Sequence, residues 1–507
     1  MSALSTQTVI AVVGTGAMGA GIAQVAAAAG HTVKLLDNRP GAAAKAVAGI
    51  RAQFEKMAAK GKLTATDAKA AGERLIPVEQ LADLADAGLI TEAIVENLEA
   101  KQTLYRDLEA IVGPDCIFGT NTSSISVTAI GAALKHPERL AGLHFFNPAP
   151  LMALVEIVSG LATDKAIAET LFATAAAWGK TPVHAKSTPG FIVNRVARPY
   201  YAEALRLAQE GAADYATIDA CCREAGGFRM GPFELMDMIG HDVNFAVTNS
   251  VWRAFYNDQR FLPSLLQQEL VDAGFFGKKT GRGFYNYREG AVRPEAQTEA
   301  AQTPVGKIML FGESTATEAL ADRLQHCGLS FSRAADSDGR IAEIGRAAFY
   351  VTDGRSATQR ACESGVANTV LIDLALDYDK ATRLALSTAQ QCEDLAASAA
   401  IGLLQAAGFA VSRFADVPGL AVMRTVAMLA NEAADAVNQG VCDAKAADAA
   451  MRLGVNYPCG PLAWADAVGL PIIRDVLANL GRTYGEDRYR ISPLIQQCVF
   501  AGKKIHD

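Results

Sequence analysis

The first forty residues alternate short apolar runs with polar turns. An apolar, β-branched run at 8–13 precedes a glycine-rich turn, and an Ala-rich stretch without proline then ends at Gly30. A second apolar run, "HTVKLLD", ends at Asp37. Short continuous apolar runs suit buried strands of a parallel sheet, and the Ala-rich stretch suits a helix stopped by glycine. The pattern predicts a strand, a helix and a second strand.

The turn after the first strand carries Gly14, Gly16 and Gly19 in the spacing G-x-G-x-x-G. In this context the first glycine permits the tight turn, the second lets the backbone approach a pyrophosphate, and the third lets helix and strand pack closely. Asp37 follows Gly19 by 18 residues, close to the ~20 typical of the acid that binds ribose hydroxyls. These features predict a dinucleotide site. Asp37 should repel a 2′-phosphate and so favours NAD, while the nearby Arg39 keeps NADP open.

Further apolar runs end in polar residues that could carry chemistry. The segment at 89–101 reads as a strand, a turn and a helix start, and the segment at 116–126 reads as a strand that ends in "NTSSIS". His144 stands just after another apolar run. Chemistry in an open α/β sheet lies outside the carboxyl ends of the strands. We therefore expect Ser123, His144 and the glycine turn on the same rim.

Composition excludes several classes of function. A length of 507 residues predicts two to four domains with ample core. The net charge of −7 gives no electrostatic case for nucleic acid. No clean run of about 18 apolar residues indicates a membrane span, and the N-terminus lacks a basic and apolar leader. Nine scattered cysteines without a C-x-x-C suit reduced thiols, so we expect a cytoplasmic protein that binds neither nucleic acid nor membranes.

The second half of the chain contains a weaker copy of part of the first. Residues 190–240 and 419–469 align without gaps at an offset of 229 and share 14 identities in 51 positions, which indicates a duplication. Both copies show helical periodicity. The second copy is chemically eroded, because Met423 answers Asn194. Upstream, at an offset of 298, Ser314 and Thr317 answer Gly16 and Gly19, and their side chains stand where a pyrophosphate would need bare backbone.

The predicted fold is an α/β Rossmann-type NAD-binding domain followed by an all-α domain, then a degenerate α/β segment and a second all-α domain. The predicted boundaries are 1–186 for the Rossmann domain, 187–290 for the first helical domain, 291–304 for a linker, 305–412 for the degenerate Rossmann-like segment and 413–507 for the second helical domain. We expect the degenerate segment to bind no dinucleotide.

These motifs resemble the 3-hydroxyacyl-CoA dehydrogenase family, in its tandem form with a duplicated C-terminal domain. The resemblance covers about residues 6–287 and rests on "GTGAMGAGIA", "EAIVENLEAK", "NTSSIS", "HFFNPAPLMALVEIV", "STPGFIVNR", "GPFELMDMIG" and "FGKKTGRGFYNY". It implies NAD-dependent oxidation of a (3S)-3-hydroxyacyl-CoA to the 3-oxoacyl-CoA. Tandem forms are similar to enzymes of fatty acid β-oxidation that act on hydroxybutyryl-CoA, and to enzymes of phenylacetate-type catabolism that act on hydroxyadipyl-CoA.

Carried over to the matching positions, the resemblance implies that His144 is the catalytic base with Glu156 as its partner, and that Ser123 and Asn194 bind the substrate oxygen. The residues it places at NAD are Gly14, Gly16, Met18, Gly19, Asp37, Glu96, Lys101, Ser123, Asn147 and Lys279. It places Lys60 and Ser123 at the CoA, although the sequence around Lys60 allows a shift to Lys62. It implies no metal.

The residue types suit the chemistry. Histidine can take the alcohol proton because its unperturbed pKa lies near neutrality. A carboxylate on its other nitrogen would fix the tautomer and stabilise the imidazolium, and a hydroxyl and an amide can hydrogen-bond the oxygen as it becomes a carbonyl. Other interpretations remain open: Glu156 as a surface strand residue, Ser123 or Ser124 as a helix N-cap, and Asn194 as a structural amide.

Two other functions and two arrangements stay open at this point. The chain could be a non-catalytic NAD- or CoA-binding protein on the same scaffold, or a dehydrogenase of free 3-hydroxy acids that uses a lysine. The second helical copy is predicted to pack on the first as an internal pseudo-partner. In the alternative arrangement each half makes its own contact in a homo-oligomer.

Overall fold

The computed structural model describes residues 2–335 and 338–507. The chain forms two compact units. The first comprises the chain up to Arg195 together with Gln439–Val455, and the second comprises Val196–Asn438 and Asn456–Asp507. The predicted order of a Rossmann-type domain, a helical domain, a degenerate α/β segment and further helices is confirmed.

The elements of the first unit alternate between strands and helices, as the sequence pattern predicts. In chain order they are Val9–Val13 (β1), Ala17–Ala28 (α1), Val33–Leu36 (β2), Ala42–Ala59 (α2), Ala65–Glu73 (α3), Leu75–Pro77 (β3), Ala87–Glu92 (β4), Leu98–Glu109 (α4), Ile117–Thr120 (β5), Val127–Gly131 (α5), Leu140–Phe145 (β6), Leu154–Ser159 (β7), Lys165–Ala177 (α6), Thr181–Lys186 (β8) and Val193–Val196 (α7).

The strands of this unit form one eight-stranded sheet in the order β3-β2-β1-β4-β5-β6-β7-β8. The described pairs are parallel, apart from β6 with β7. The order β3-β2-β1-β4-β5-β6 is that of a dinucleotide-binding sheet. Its core is a continuous cluster that includes Ile10, Leu35, Phe54 and Ile157. Buried β-branched runs such as "VIAVV" in β1 explain why these segments are strands.

The second unit contains helices and a smaller sheet. Its elements before the sheet are Arg198–Gln209 (α8), Tyr215–Glu224 (α9), Pro232–Ile239 (α10), His241–Ala254 (α11) and Leu265–Asp272 (α12). The elements of the α/β segment are Ile308–Phe311 (β9), Thr315–His326 (α13), Ser332–Ala334 (β10), Ala342–Ile344 (β11), Ala347–Val351 (β12), Ala357–Ser364 (α14), Thr369–Ile372 (β13), Arg383–Thr388 (β14), Asp394–Ala406 (α15) and Ala410–Arg413 (β15). The helices that follow are Val422–Asn438 (α16), Ala444–Gly454 (α17), Pro461–Val468 (α18), Leu470–Tyr484 (α19) and Pro493–Ala501 (α20); α17 belongs to the first unit.

The smaller sheet has seven described strands in the order β10-β9-β11-β12-β13-β14-β15, with parallel and antiparallel pairs mixed. Its first turn differs from that of the large sheet at the helix start. The Ser314 side chain caps α13 by accepting a hydrogen bond from the Thr317 N–H. The Thr317 hydroxyl in turn donates to the Phe311 carbonyl. Side chains therefore satisfy the helix start that a phosphate would otherwise occupy.

Helix α16 is buried along almost its whole length, from Val422 to Ala436. The polar residues along it have partners in the same unit. Arg424 pairs with Glu203 on α8 at 2.7 Å, and Glu432 pairs with Arg260 at 3.1 Å. The two helical copies therefore contact each other through buried ion pairs within this unit, with α8 packed against α16.

Candidate active site

The sheet itself brings His144 and Glu156 together. The two residues lie directly opposite each other in the antiparallel pair of β6 and β7. The His144 Nδ1 is 2.7 Å from the Glu156 Oε2, and both side chains are buried. An ionised carboxylate only accepts hydrogen bonds, so Nδ1 carries the proton and Nε2 is left as an acceptor. This geometry is that of a general base whose tautomer is fixed by a carboxylate.

The other oxygen of Glu156 is held by backbone N–H groups. Glu156 Oε1 accepts hydrogen bonds from Ile192 N at 3.1 Å and from Val193 N at 3.0 Å. These groups are exposed to the carboxylate by a turn in which Gly190 and Phe191 have φ values of 74° and 48°. A left-handed conformation is unusual for phenylalanine. The turn therefore fixes the carboxylate on the side remote from His144, and Glu156 is no surface strand residue.

Two aromatic rings enclose the imidazole. The ring centroid of His144 lies 4.6 Å from that of Phe146 and 5.7 Å from that of Phe191. A hydrogen bond joins the end of β6 to the segment after β5, because Asn121 Oδ1 accepts the Phe145 N–H at 2.8 Å. Asn121 belongs to the polar cluster after β5, so that cluster and β6 meet at the same end of the sheet.

Glu96 organises the loop that carries Ser123. Its Oε1 accepts hydrogen bonds from the Thr122 hydroxyl, from the backbone N–H groups of Ser123 and Ser124, and from the Ser124 hydroxyl, at 2.6–3.0 Å. Burial raises the pKa of Glu96, but the hydrogen bonds and Lys101 outweigh it and hold that pKa below its usual value. The Ser123 hydroxyl makes no hydrogen bond with any residue in the described ranges. It is left available to a ligand.

The nearby helix α5 excludes one of the alternatives for these serines. Its N-cap is Ser126, whose side chain accepts the Ala129 N–H. Neither Ser123 nor Ser124 caps it.

Beneath this loop lies a buried ion pair that the sequence reading did not identify. Lys101 Nζ lies 2.9 and 2.8 Å from the two oxygens of Glu92 and 3.3 Å from Glu96, and its side chain is 1% exposed. The Thr120 hydroxyl also donates to Glu92. The signal for this pair was present, since a glutamate that ends an apolar strand and a lysine nine residues later need partners when buried.

The glycine turn leaves room for a phosphate. A Cβ on Gly14 would lie 2.6 Å from the Ala93 carbonyl oxygen, and one on Gly19 would lie 1.8 Å from the Gly14 oxygen. These two glycines are required by packing. A Cβ on Gly16 would meet nothing within 4 Å, and Gly16 begins α1 without a side-chain cap. The start of α1 therefore faces open space, as a pyrophosphate site requires.

Asp37 lies beside this turn. Its Oδ2 accepts hydrogen bonds from the backbone N–H and the hydroxyl of Thr15, both at 2.8 Å. Its Oδ1 accepts one from Arg39 Nε at 3.0 Å. These bonds, with that of Arg39 the largest, hold the Asp37 pKa well below its usual value. Arg39 is thus paired with the acid, and the carboxylate is fixed at the end of β2.

The structure places the remaining sequence-predicted residues as follows. Met18 is half-buried in the first turn of α1, and Asn147 is exposed just after β6. Lys60 is exposed at the C-cap position that follows α2, and the exposed Lys62 lies two residues further on. Lys279, in the second unit, lies 2.6 Å from Asp242. The Asn194 side chain is half-buried in the first turn of α7 and has no hydrogen-bond partner among the described residues.

Family profiles match most of the chain. The "3-hydroxyacyl-CoA dehydrogenase, NAD binding domain" matches residues 9–188. The "3-hydroxyacyl-CoA dehydrogenase, C-terminal domain" matches twice, at 190–287 and 419–505. The "3-hydroxybutyryl-CoA dehydrogenase reduced Rossmann-fold domain" matches 349–418.

None of the described helices has the length and apolar content that crossing a membrane would require.

Individual proteins match over the same ranges. The 3-hydroxyadipyl-CoA dehydrogenase of Escherichia coli (strain K12) is 46% identical over 494 residues, which are 97% of this chain and 98% of that protein. The mitochondrial hydroxyacyl-coenzyme A dehydrogenase of Sus scrofa is 42% identical over 287 residues, 55% of this chain and 91% of that one. The crystal structure of a 3-hydroxybutyryl-CoA dehydrogenase from Escherichia coli K12 superposes with a TM-score of 0.89 at 45% identity, over 98% of this chain and 99% of that chain. The chain therefore belongs to the NAD-dependent 3-hydroxyacyl-CoA dehydrogenase family of oxidoreductases, in its form with two C-terminal domains.

Proposed function

We propose that the chain oxidises the hydroxyl of a (3S)-3-hydroxyacyl-CoA to the 3-oxoacyl-CoA, with His144 as the general base. The observation that carries this proposal is the His144–Glu156 pair, in which Nδ1 is 2.7 Å from a carboxylate that is itself anchored by two N–H groups. That arrangement leaves Nε2 as the acceptor for the hydroxyl proton. NAD, when bound, accepts the hydride from the substrate carbon.

Glu156 is the positioning residue of this reaction. Its carboxylate holds the imidazole in one tautomer and stabilises the imidazolium formed when the proton arrives. The low polarity provided by Phe146 and Phe191 strengthens this interaction. In the reverse reaction His144 returns the same proton to the oxygen. The His–Glu pair argues against a free 3-hydroxyacid dehydrogenase that uses lysine, and it gives no reason to expect a non-catalytic protein.

Ser123 and Asn194 are the groups that we propose for the substrate oxygen. Both side chains lack a hydrogen-bond partner among the described residues, and each lies on a segment whose backbone is held by a carboxylate: Glu96 accepts the Ser123 N–H, and the buried Glu156 accepts the Val193 N–H. A donor that is oriented beforehand stabilises developing negative charge on oxygen at little cost of reorganisation.

The cofactor and CoA contacts follow the family pattern. For NAD we propose Gly14, Gly16, Met18, Gly19, Asp37, Glu96, Lys101, Ser123, Asn147 and Lys279, and for CoA Lys60 and Ser123. The open helix start beside Gly16 and the fixed Asp37 support the dinucleotide part of this assignment. Because Lys101 is buried on Glu92 and Glu96, we propose that it acts by orienting Glu96.

The acyl group is a further proposal. A relative that matches nearly the whole chain is named a 3-hydroxyadipyl-CoA dehydrogenase, and the solved structure that covers it is named a 3-hydroxybutyryl-CoA dehydrogenase. Because both matches cover nearly the whole chain at similar identity, we propose 3-hydroxybutyryl-CoA and a dicarboxylyl thioester as the two candidate substrates. NADH formation with 3-hydroxybutyryl-, 3-hydroxyhexanoyl- and 3-hydroxyadipyl-CoA tests the proposal. Absence of NADH from all three would contradict it, and equal turnover of free 3-hydroxybutyrate would favour the free-acid function.

The setting of the enzyme is proposed from its thiols and its duplication. None of the nine cysteines, all of which lie in the described ranges, forms a disulfide, and this supports our proposal of a reducing, cytoplasmic location. The buried contact between α8 and α16 supports an internal pseudo-dimer of the helical copies. Size-exclusion chromatography with light scattering distinguishes a monomer from a homo-oligomer.

A further inference from the structure

A cavity of about 180 Å³ lies inside the second unit, against one face of α8. The α8 residues that line it, at positions 198, 201, 202, 205, 206 and 209, follow the spacing of one helical face. The segment 261–265 closes the opposite side, and Arg488 also reaches the cavity. Among the described residues no Asp or Glu lines it, whereas three arginines do: Arg198, Arg206 and Arg488.

Two of these arginines are already neutralised. Arg206 contacts both oxygens of Glu486, at 2.9 and 2.7 Å. Arg488 has weaker ion pairs with Glu486 at 3.5 Å and with Glu203 at 3.9 Å. Arg198 is different, because no described carboxylate lies within ion-pair distance of it.

Arg198 is nevertheless buried, with 5% of its surface exposed. Its polar contact is with the Thr248 hydroxyl at 3.0 Å, and its guanidinium lies 4.9 Å from the ring centre of Tyr201. Its Nε has no hydrogen-bond partner among the described residues. Burial lowers the pKa of Arg198, which shows the cost of keeping this charge away from water and from an anion. A buried charge without a counter-ion is expensive, and an occupant of opposite charge would remove that cost.

A second side chain points to the same occupant. Ser264 stands at the N-cap of α12 and lines the cavity, but its hydroxyl does not cap the helix. The Ser264 Oγ is buried and has no partner among the described residues. A serine at an N-cap ordinarily accepts a hydrogen bond from the first turn. Here the hydroxyl remains a free donor at the positive end of a helix, beside an arginine.

We propose that this cavity binds a carboxylate group at the end of a short aliphatic chain, with Arg198 as its counter-ion and Ser264 as a second donor. The single unneutralised charge matches a monoanion, and the fork of a guanidinium matches a carboxylate. Leu205, Phe261 and Leu262 supply apolar walls for methylene groups. The carboxylate has two sources, a free organic acid or the terminal carboxylate of a dicarboxylyl thioester. The carboxylate site goes beyond the proposed function, and only its assignment to a thioester substrate rests on that function.

Calorimetric titration of the full chain with sodium hexanoate tests the site without any turnover. We expect one hexanoate per chain, and an affinity at least ~10-fold lower in Arg198→Met, the range for losing a charge-assisted hydrogen bond. Ser264→Ala serves as the second variant because it removes a hydroxyl that has no partner among the described residues, and we expect it to weaken binding by about 3- to 10-fold. Arg253→Met, an exposed arginine on α11, is the matched control and should bind hexanoate as the parent does.

A kinetic comparison separates the two sources. If the carboxylate belongs to the substrate, the ratio of kcat/KM for 3-hydroxyadipyl-CoA to that for 3-hydroxyhexanoyl-CoA falls about 10-fold in Arg198→Met and stays constant in Arg253→Met. If it belongs to a free acid, the ratio is unchanged while hexanoate binding is lost. The proposal is overturned if neither hexanoate affinity nor this ratio responds to Arg198 and Ser264. A parent enzyme that oxidises none of the thioesters would contradict the proposed function and leave the hexanoate titration to decide the cavity.

Discussion

Replacing Glu156 by glutamine separates the two tasks of this residue. Its Oε1 accepts two backbone N–H groups, from Ile192 and Val193, and its Oε2 accepts the proton on His144 Nδ1. Glutamine has nearly the same shape but offers one acceptor oxygen and one NH₂ donor. The amide must therefore choose which partner keeps the oxygen.

The backbone decides the orientation of the amide. Turning the NH₂ toward Ile192 and Val193 would leave two buried donors without acceptors, at about 1–3 kcal/mol each. Turning the NH₂ toward His144 keeps the hydrogen bonds of the Ile192 and Val193 N–H groups, but it requires His144 Nδ1 to accept a hydrogen bond. The proton of the imidazole then moves to Nε2, which is the atom that we propose as the acceptor of the substrate proton. We expect the fold to be kept and the base to be blocked.

The expected loss is large because the wrong tautomer and the missing negative charge act together. A buried aspartate replaced by asparagine in a Ser-His-Asp triad lowers kcat by about 10⁴ for the same reason. For Glu156→Gln we expect kcat to fall by about 10³–10⁴, which corresponds to ~4–5 kcal/mol of activation free energy. The affinity for NAD should change by no more than about 3-fold, because Glu156 lies on β7 and the glycine turn follows β1.

The assay is NADH formation with 3-hydroxybutyryl-CoA, together with NAD titration by fluorescence. Glu169→Gln is the matched control, since Glu169 lies 3.7 Å from His184 in a second, partly exposed His–Glu pair. It should keep the turnover of the parent. A folded Glu156→Gln enzyme with kcat within 10-fold of the parent would refute the tautomer argument.

Three further predictions follow from the same contacts. His144→Ala should lower kcat by about 10²–10⁴ and leave NAD affinity nearly intact, and turnover within a few-fold of the parent would contradict the assignment. Calorimetry should give one NAD per chain, because Ser314 already accepts the Thr317 N–H; two equivalent sites would show that the second copy works. Burial opposes ionisation of Glu203, but Arg424 and its neighbours hold its pKa below the usual value. This stabilisation is present above about pH 4.3 and is lost as pH falls further, so urea unfolding should show a flatter loss of stability in acid for Glu203→Gln.

Much of the fold could be predicted because its signals are local. The strand, the three glycines and the Ala-rich helix lie within about 20 residues, and the duplication is visible at one constant offset. The burial of α16 was harder to predict. Its sequence has the periodicity of an amphipathic helix, yet Arg424 and Glu432 are buried because Glu203 and Arg260, some 200 residues distant in sequence, lie opposite them. Such pairing cannot be read from one segment.

The same limit applies to the site. The pairing of His144 with Glu156 was expected from the resemblance, but the register that sets them face to face is a property of the sheet. For Glu96 and Lys101 the structure adds contacts that the sequence did not predict. The resemblance implies that both lie at the cofactor, and the structure adds Glu92 as a buried partner of Lys101 and makes Glu96 the acceptor for a whole loop. Neither the partner of Lys101 nor the hydrogen bonds to Glu96 can be predicted from a spacing of residues in the sequence.

The degenerate copy shows a structural role of the buried carboxylate that is independent of the proposed chemistry. Asp373, just after β13, accepts hydrogen bonds from the backbone N–H groups of Ala421, Val422 and Met423. The first two are the residues that answer Ile192 and Val193 at the offset of 229. The preceding residue, Leu420, has a φ of 51°, as Phe191 has one of 48°. The turn and its buried acceptor are therefore both present in the copy.

The backbone of this turn therefore needs a carboxylate acceptor whether or not a histidine lies beside it. Burial raises the pKa of Asp373 to about 6, although four N–H groups oppose that shift, so the copy retains a buried acid at some cost. It does so without the "HFFNP" histidine motif. Glu156 likewise accepts hydrogen bonds from the backbone N–H groups of its own turn, and in addition it binds His144. Truncation to alanine would disturb both, which is why glutamine, able to keep the turn while it misdirects the imidazole, isolates the chemical role.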